Sequence, residues 1–288
     1  MHRFVPFSIN RKGELIEFSR PQVMGILNIT PDSFYADSRA THEEEIASRV
    51  KQIISEGANI IDIGAYSSRP GAETIPADEE YCRLELGMKI LRSIDSRILV
   101  SVDTFRADVA RKAIEHLGAD IINDISGGDL DEKMFETAAQ LNVPYILMHM
   151  RGTPENMASM TNYANVTIEV IKSLAEKVNR LALLGVNDVI VDPGFGFSKN
   201  IEQNYELLKN LEIFHELDRP MLIGVSRKSM IYRPLGSTPQ EALNGTTVLN
   251  TIALLAGASI LRVHDGKNQS RRQRSQGRVY KGESEART

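Results

Sequence analysis

Eight short runs of branched apolar residues recur along this 288-residue chain, and each stops at a polar residue or a glycine turn. They are VMGILN ending at Asn28, NIIDIG at Gly64, ILVSVD at Asp103 and DIINDI around Asn123. YILMHM ending at Met150, VIVD at Asp192, MLIGVS at Ser226 and SILRVHD at Asp265 complete the set. The segments between them are long enough for a helix. Parallel strands need crossovers, usually helical, so this alternation predicts an α/β protein whose eight parallel strands close into a (β/α)8 barrel. In such a barrel the carboxyl ends of all strands meet at one mouth, where an active site is built. Asn28, Asp103, Asn123, Asp192, Ser226, Lys228, Arg262 and His264 then converge from distant positions.

The remaining segments are read around that frame. Residues 4–18 predict a hairpin over the barrel floor, with Lys12-Gly13 in its turn. Apolar residues at helical spacing predict helices at 42–56, through Leu84, Met88 and Leu91, and at 109–117, 130–141, 168–181, 201–214 and 241–256. The barrel domain is expected to span 1–265. Residues 266–288 hold seven Lys/Arg against two Glu and no apolar stripe, which predicts a disordered basic tail without a recognisable eighth helix.

The acidic barrel segment argues against nucleic-acid binding. Thr251–Leu261 is too short an apolar stretch to span a bilayer, so no membrane partner is expected. The single cysteine, Cys82, cannot form an internal disulfide, and the start MHRFVPFSIN lacks a signal-peptide core, so the expected location is cytoplasmic.

The strand-end motifs carry the chemistry. NITPDSF opens a polar loop in which Asn28 and Asp32 are candidates to meet a metal-bound phosphate, since Mg²⁺ favours few protein oxygens plus substrate phosphate. In SSRPGAE, Arg69 can present its fork to an anion, with hydroxyls beside it. Asp103 and Asp192 end apolar strands. Either they accept paired N–H bonds from a flat heterocycle, helped by Asn123, or they cap the helices that follow. Phe195 and Phe197 either wall a flat substrate or plug the rim. Lys228 donates to a ring carbonyl or forms a Schiff base, and Ser229 opens a helix whose N-terminus suits a carboxylate. Arg262 and His264 share one strand face and can grip a diphosphate together. His116 and His149 read as structural.

NITPDSF, SSRPGAE, SVDT, INDISGG, LMHM, DPGFGF, GVSRKS and RVHD occur in the order, and near the spacing, of dihydropteroate synthase, and the resemblance runs from Val23 to Asp265. It implies a TIM-barrel transferase of folate synthesis that joins p-aminobenzoate to 6-hydroxymethyl-7,8-dihydropterin diphosphate, with Mg²⁺, as a homodimer. On that resemblance Asp103, Asn123, Asp192 and Lys228 are the pterin contacts, with Met148 packed on the ring. Asn28 (the metal ligand), Ser68, Arg69, Arg262 and His264 form the diphosphate group. Phe34, Pro70, Phe197, Ser226 and Ser229 surround p-aminobenzoate and sulfonamides. The assigned catalytic set is Asp103, Asp192, Lys228, Arg262 and His264. The sequence departs from the family pattern in FYADSR of the first loop, at Tyr66 of the second, and after Asp265. Two other readings compete: a pterin-dependent methyltransferase, and a truncated pterin binder without catalysis.

Overall fold

A computed structural model describes residues 4–29, 39–66 and 74–266 of the protein. The chain enters through a hairpin, β1 (Phe7–Arg11) and β2 (Glu14–Phe18), paired from Phe7↔Phe18 to Arg11↔Glu14. Its turn is made by Lys12 and Gly13, both at positive φ (53° and 90°), where the absence of a Cβ spares glycine any steric cost.

Strands and helices then alternate as the apolar runs require. They are β3 (Gln22–Asn28), α1 (Arg39–Ser55), β4 (Ile60–Gly64), α2 (Ala77–Ile94), β5 (Leu99–Asp103), α3 (Ala107–Glu115), β6 (Ile121–Asp124) and α4 (Met134–Leu141). There follow β7 (Tyr145–Met148), α5 (Val166–Leu183), β8 (Val189–Asp192), α6 (Ile201–Lys209), β9 (Leu222–Ile223), α7 (Ser229–Tyr232), α8 (Leu243–Leu255) and β10 (Ile260–Val263). The eight strands from β3 onward pair in parallel in the order β8-β7-β6-β5-β4-β3-β10-β9. A parallel bridge between Val191 and Met221 joins the two ends. The molecule is a (β/α)8 TIM barrel.

Strand periodicity divides the apolar residues into two cores. Val23, Ile61, Val100, Ile122, Tyr145, Val189, Ile223 and Leu261 pack outward with the helices. Their neighbours Met24, Ile60, Leu99, Ile121, Ile146, Ile190, Leu222 and Ile260, one from each strand, point inward and form a floor. Ile9 and Phe18 of the hairpin join that layer from below, so the expected plug is present. Asp120 fastens the rim beneath it, accepting from Arg11 Nε (3.0 Å), Arg92 Nη2 (3.2 Å) and the Val100 amide (3.0 Å).

Some elements are shorter than their sequence pattern. The fourth helix begins at Met134 rather than 130, because the Asp131 carboxylate accepts the Lys133 and Ala107 amides and holds the preceding turn open. The sixth stops at Lys209, and Leu211–Leu217 continues as a 3₁₀ helix that keeps Leu211 and Phe214 both buried at a spacing of three. Residues 267–288, including the region of the expected tail, lie outside the described residues. Among those described, no helix is long and apolar enough to cross a membrane.

Helix α1 seats on β3 across Gly25, where an added Cβ would come within 2.3 Å of Ile53 Cγ2. Gly25→Ala is therefore expected to destabilise the fold by about 1–3 kcal/mol through overpacking. Urea unfolding measures this directly.

Candidate active site

The same alternation that builds the floor sets what lies above it. Two residues past the floor, the strands again point inward, now with Asp62, Asn123, Met148, Asp192 and Arg262. Four residues past it stand Asn28, Asp103, Ser226 and His264. An apolar floor thus supports a polar layer that faces the mouth.

Asp62, with no exposed surface, ties that layer together. Its Oδ2 accepts from Arg262 Nε at 2.6 Å, and its two oxygens accept from Asn123 Nδ2 at 3.1 and 3.2 Å. Arg262 Nη2 donates to Asp103 Oδ2 at 2.7 Å. Burial works against the guanidinium, but Asp62 and Asp103 outweigh it and hold the Arg262 pKa above its ordinary value. Burial pushes the Asp103 carboxyl up to about 7; Arg262 pulls against this, and Asp62 adds to it.

Asp192 lies across the mouth. Its Oδ1 accepts the Gly194 amide at 2.8 Å, and burial raises its pKa. Lys228 donates to the Phe195 carbonyl, and its ammonium sits 4.6 Å from the centroid of the Phe197 ring. Burial lowers the Lys228 pKa to about 8, with Asp192 opposing the shift. Met148 belongs to an apolar cluster with Ile125, Met150 and Met157, against which Phe197 packs. Phe195 is fully buried, so it plugs the structure while Phe197 remains at the rim. Neither aspartate caps a helix: the N-cap positions of α3 and α6 are Arg106 and Asn200.

At the end of β10, the His264 amide and Nδ1 lie 3.2 and 3.1 Å from Ser226 Oγ. Burial, then Arg262 and Arg227, lowers the His264 pKa to about 4. It is therefore a neutral hydrogen-bonding group at physiological pH, and Arg262 alone of this pair brings positive charge. Asp265 turns away and accepts two hydrogen bonds from Arg227, at 2.9 and 2.7 Å. Ser229 begins α7, which is only a four-residue turn. Asn28 is exposed at the end of β3, where a neutral amide oxygen suits a Mg²⁺ ion that takes its other oxygens from phosphate and water. Among the described residues, no group of three His, Cys, Asp or Glu is placed to hold a metal. Asp32, Phe34, Ser68, Arg69 and Pro70 lie outside the described residues.

Among the buried polar residues that escaped the sequence reading, three lie at or beside the site. Asp62 is one. Asp124 is another: it faces the helix layer and accepts from Tyr145 Oη (2.6 Å), Ser126 Oγ (2.7 Å) and the Gly128 amide (2.7 Å), fastening the turn after Asn123. The third is Lys199, buried under the DPGFGF loop. For the two aspartates a signal was present, since a carboxylate inside an apolar run is costly unless paired.

The chain as a whole has close counterparts. The pterin binding enzyme family matches residues 24–264. Dihydropteroate synthase of Escherichia coli is 40% identical over 263 residues, covering 89% of this chain and 90% of that protein. The chain belongs to the dihydropteroate synthase family of pterin-binding enzymes. Another member, from Clostridium beijerinckii, is 41% identical over 255 residues, 88% of this chain and 91% of its own. Solved structures of the family superpose closely. The Xanthomonas albilineans enzyme with 4-aminobenzoic acid gives a TM-score of 0.86 at 33% identity, covering 95% of this chain and 98% of that one. The Yersinia pestis enzyme in a sulfonamide drug complex gives 0.85 at 34% identity, covering 96% and 100%.

Proposed function

We propose that this chain is a transferase that joins p-aminobenzoate to the methylene carbon of 6-hydroxymethyl-7,8-dihydropterin diphosphate, forming 7,8-dihydropteroate and releasing pyrophosphate. One observation carries the reading: a layer of Asp62, Asn123, Asp192 and Arg262, topped by Asp103 and Lys228, at the mouth of a barrel with 40%-identical relatives of that activity.

The chemistry follows from the charges. The C–O bond to diphosphate breaks, the electron pair leaves with pyrophosphate, and positive charge spreads over the pterin. Asp103 and Asp192 accept the ring N–H groups and face that developing charge. Asn123 adds a donor and an acceptor, Lys228 donates to the ring carbonyl, and Met148 covers a ring face. Arg262, with Arg69 and Ser68 from the second loop and neutral His264, receives the departing phosphates. Asn28 would hold Mg²⁺, which would supply further neutralisation of the diphosphate. Preorganised groups of this kind contribute about 3–4 kcal/mol each. The aromatic amine is already a nucleophile, so it attacks the methylene carbon without a strong base, and its proton leaves to solvent. Phe34, Pro70, Phe197, Ser226 and Ser229 border p-aminobenzoate. A cytoplasmic homodimer belongs to the same reading; the mass in solution checks the dimer.

The test is pyrophosphate release. It is expected only when Mg²⁺, the dihydropterin diphosphate and p-aminobenzoate are present together. Folded protein that is silent in that mixture, or that binds a methylated folate without needing diphosphate, refutes the assignment.

A further inference from the structure

The loop after Asp192 is built around a charge that the proposed reaction does not use. Lys199 is 7% exposed, and all three polar contacts of its Nζ run inward; burial lowers its pKa, with Asp192 pulling the other way. The contacts go to the carbonyls of Gly194 (2.9 Å) and Phe197 (3.0 Å) and to His149 Nδ1 (3.1 Å). Burial first, then Lys199, drives the His149 pKa down to about 2, so the imidazole stays neutral and Nδ1 can accept.

The loop backbone is shaped to reach that ammonium. Gly194, Gly196 and Ser198 all adopt positive φ (72°, 78° and 48°). At Gly194 a Cβ would come within 2.0 Å of the His149 carbonyl oxygen, so the loop's close approach requires glycine there. One of the two carbonyls between those held by Lys199, that of Phe195, is taken by Lys228. The loop therefore runs between two ammonium groups, one beneath it and one at the mouth. Two of its members reach the pterin site: the Gly194 amide binds Asp192 Oδ1, and the Phe197 ring faces Lys228.

A buried lysine is an expensive way to fill space, since desolvating an ammonium costs more than burying an apolar side chain of the same length. Two of its three contacts go to backbone carbonyls and the third to His149, a hold on the loop that a methionine cannot supply. We propose that Lys199 is a positioning residue for the pterin half of the reaction, holding the 193–200 loop so that the Gly194 amide keeps Asp192 facing the pterin. This inference rests on the reaction proposed above.

The experiment compares Lys199→Met with the wild-type enzyme. Steady-state KM is measured for dihydropterin diphosphate and for p-aminobenzoate, and Kd for free 6-hydroxymethylpterin is measured by calorimetry. Lys199→Met is expected to raise the pterin KM and Kd by about tenfold or more, the loss of one charge-assisted bond network, and to raise the p-aminobenzoate KM, which it reaches only through Phe197, by a clearly smaller factor. A residue that serves only stability lowers the active fraction and leaves both KM values alone; that result, or an equal rise in both, overturns the proposal. Should Lys199→Met fail to fold, His149→Asn and His149→Leu decide. Asparagine retains an acceptor for the ammonium and should keep the wild-type pterin Kd, leucine should not, and equal behaviour of the two overturns the proposal. Wild-type protein that binds pterin but releases no pyrophosphate refutes the reaction instead, and the Kd comparison still tests Lys199.

Discussion

Arg262→Ala is expected to lower kcat/KM by about 100- to 1,000-fold, the effect of removing one preorganised donor from a developing negative charge. The structure adds a second consequence. Arg262 bridges Asp62 and Asp103, so its removal strands two carboxylates, one of them fully buried. An unpaired buried carboxylate takes up a proton rather than remain charged. The Asp103 carboxyl, already pushed up by burial, should therefore rise further. Pterin affinity falls along with diphosphate affinity, because Asp103 loses its ionised form near neutral pH. Calorimetry with a pterin and with its diphosphate separates the two losses. A variant that bound free pterin normally would show that Asp103 does not depend on Arg262.

The second large effect is on pH. For the free enzyme, kcat/KM should follow a narrow bell with limbs near 7 and 8. In the proposed reaction Asp103 must be ionised to accept from the pterin, and with its pKa at about 7, acidity removes that form. Lys228 must be protonated to donate, and with its pKa at about 8, alkalinity removes that form. Each limb approaches tenfold per pH unit, so about 100-fold is lost two units below the acid limb. His264, at about 4, stays neutral throughout this range and adds no limb. Asp62→Asn removes a like charge beside Asp103 and should move the acid limb to lower pH.

Stability runs the other way. A carboxyl titrates at about 3.9 in an unfolded chain, and Asp103 is raised above that in the fold. Between these values the folded state holds the extra proton. The stability from Asp103 is thus complete below the unfolded value and is lost as pH climbs through about 7. Urea unfolding from pH 4 to 7 should show this group weakening the fold over the same interval in which it turns on activity.

Much of the site was legible because strand ends are a local property. A run such as LVSVD announces both a strand and the polar residue that leaves it, and eight such runs imply one mouth. Asn28, Asp103, Asn123, Asp192, Lys228, Arg262 and His264 were read as mouth residues that way, and the structure places them there. Element lengths were less legible. The fourth helix lost its first turn to the Asp131 carboxylate, whose partner Ala107 lies 24 residues away. Phe195 and Phe197 are indistinguishable in DPGFGF, and only packing decides that one is buried and the other borders Lys228.

Period-two alternation, turn glycines and polar strand ends lie within a few residues of each other, so the chain by itself dictated the barrel and the side chains at its mouth. The order of charges inside was decided by closure. Asp62 finds Arg262 at a separation of 200 residues because β10 pairs with β3, and β3 with β4. Lys199 finds His149 because the loops after β7 and β8 are neighbours. Closure also buries Asp103, Lys228 and His264 beside charged neighbours and so gives them their unusual proton affinities, since desolvation and Coulomb forces act through space and not along the chain.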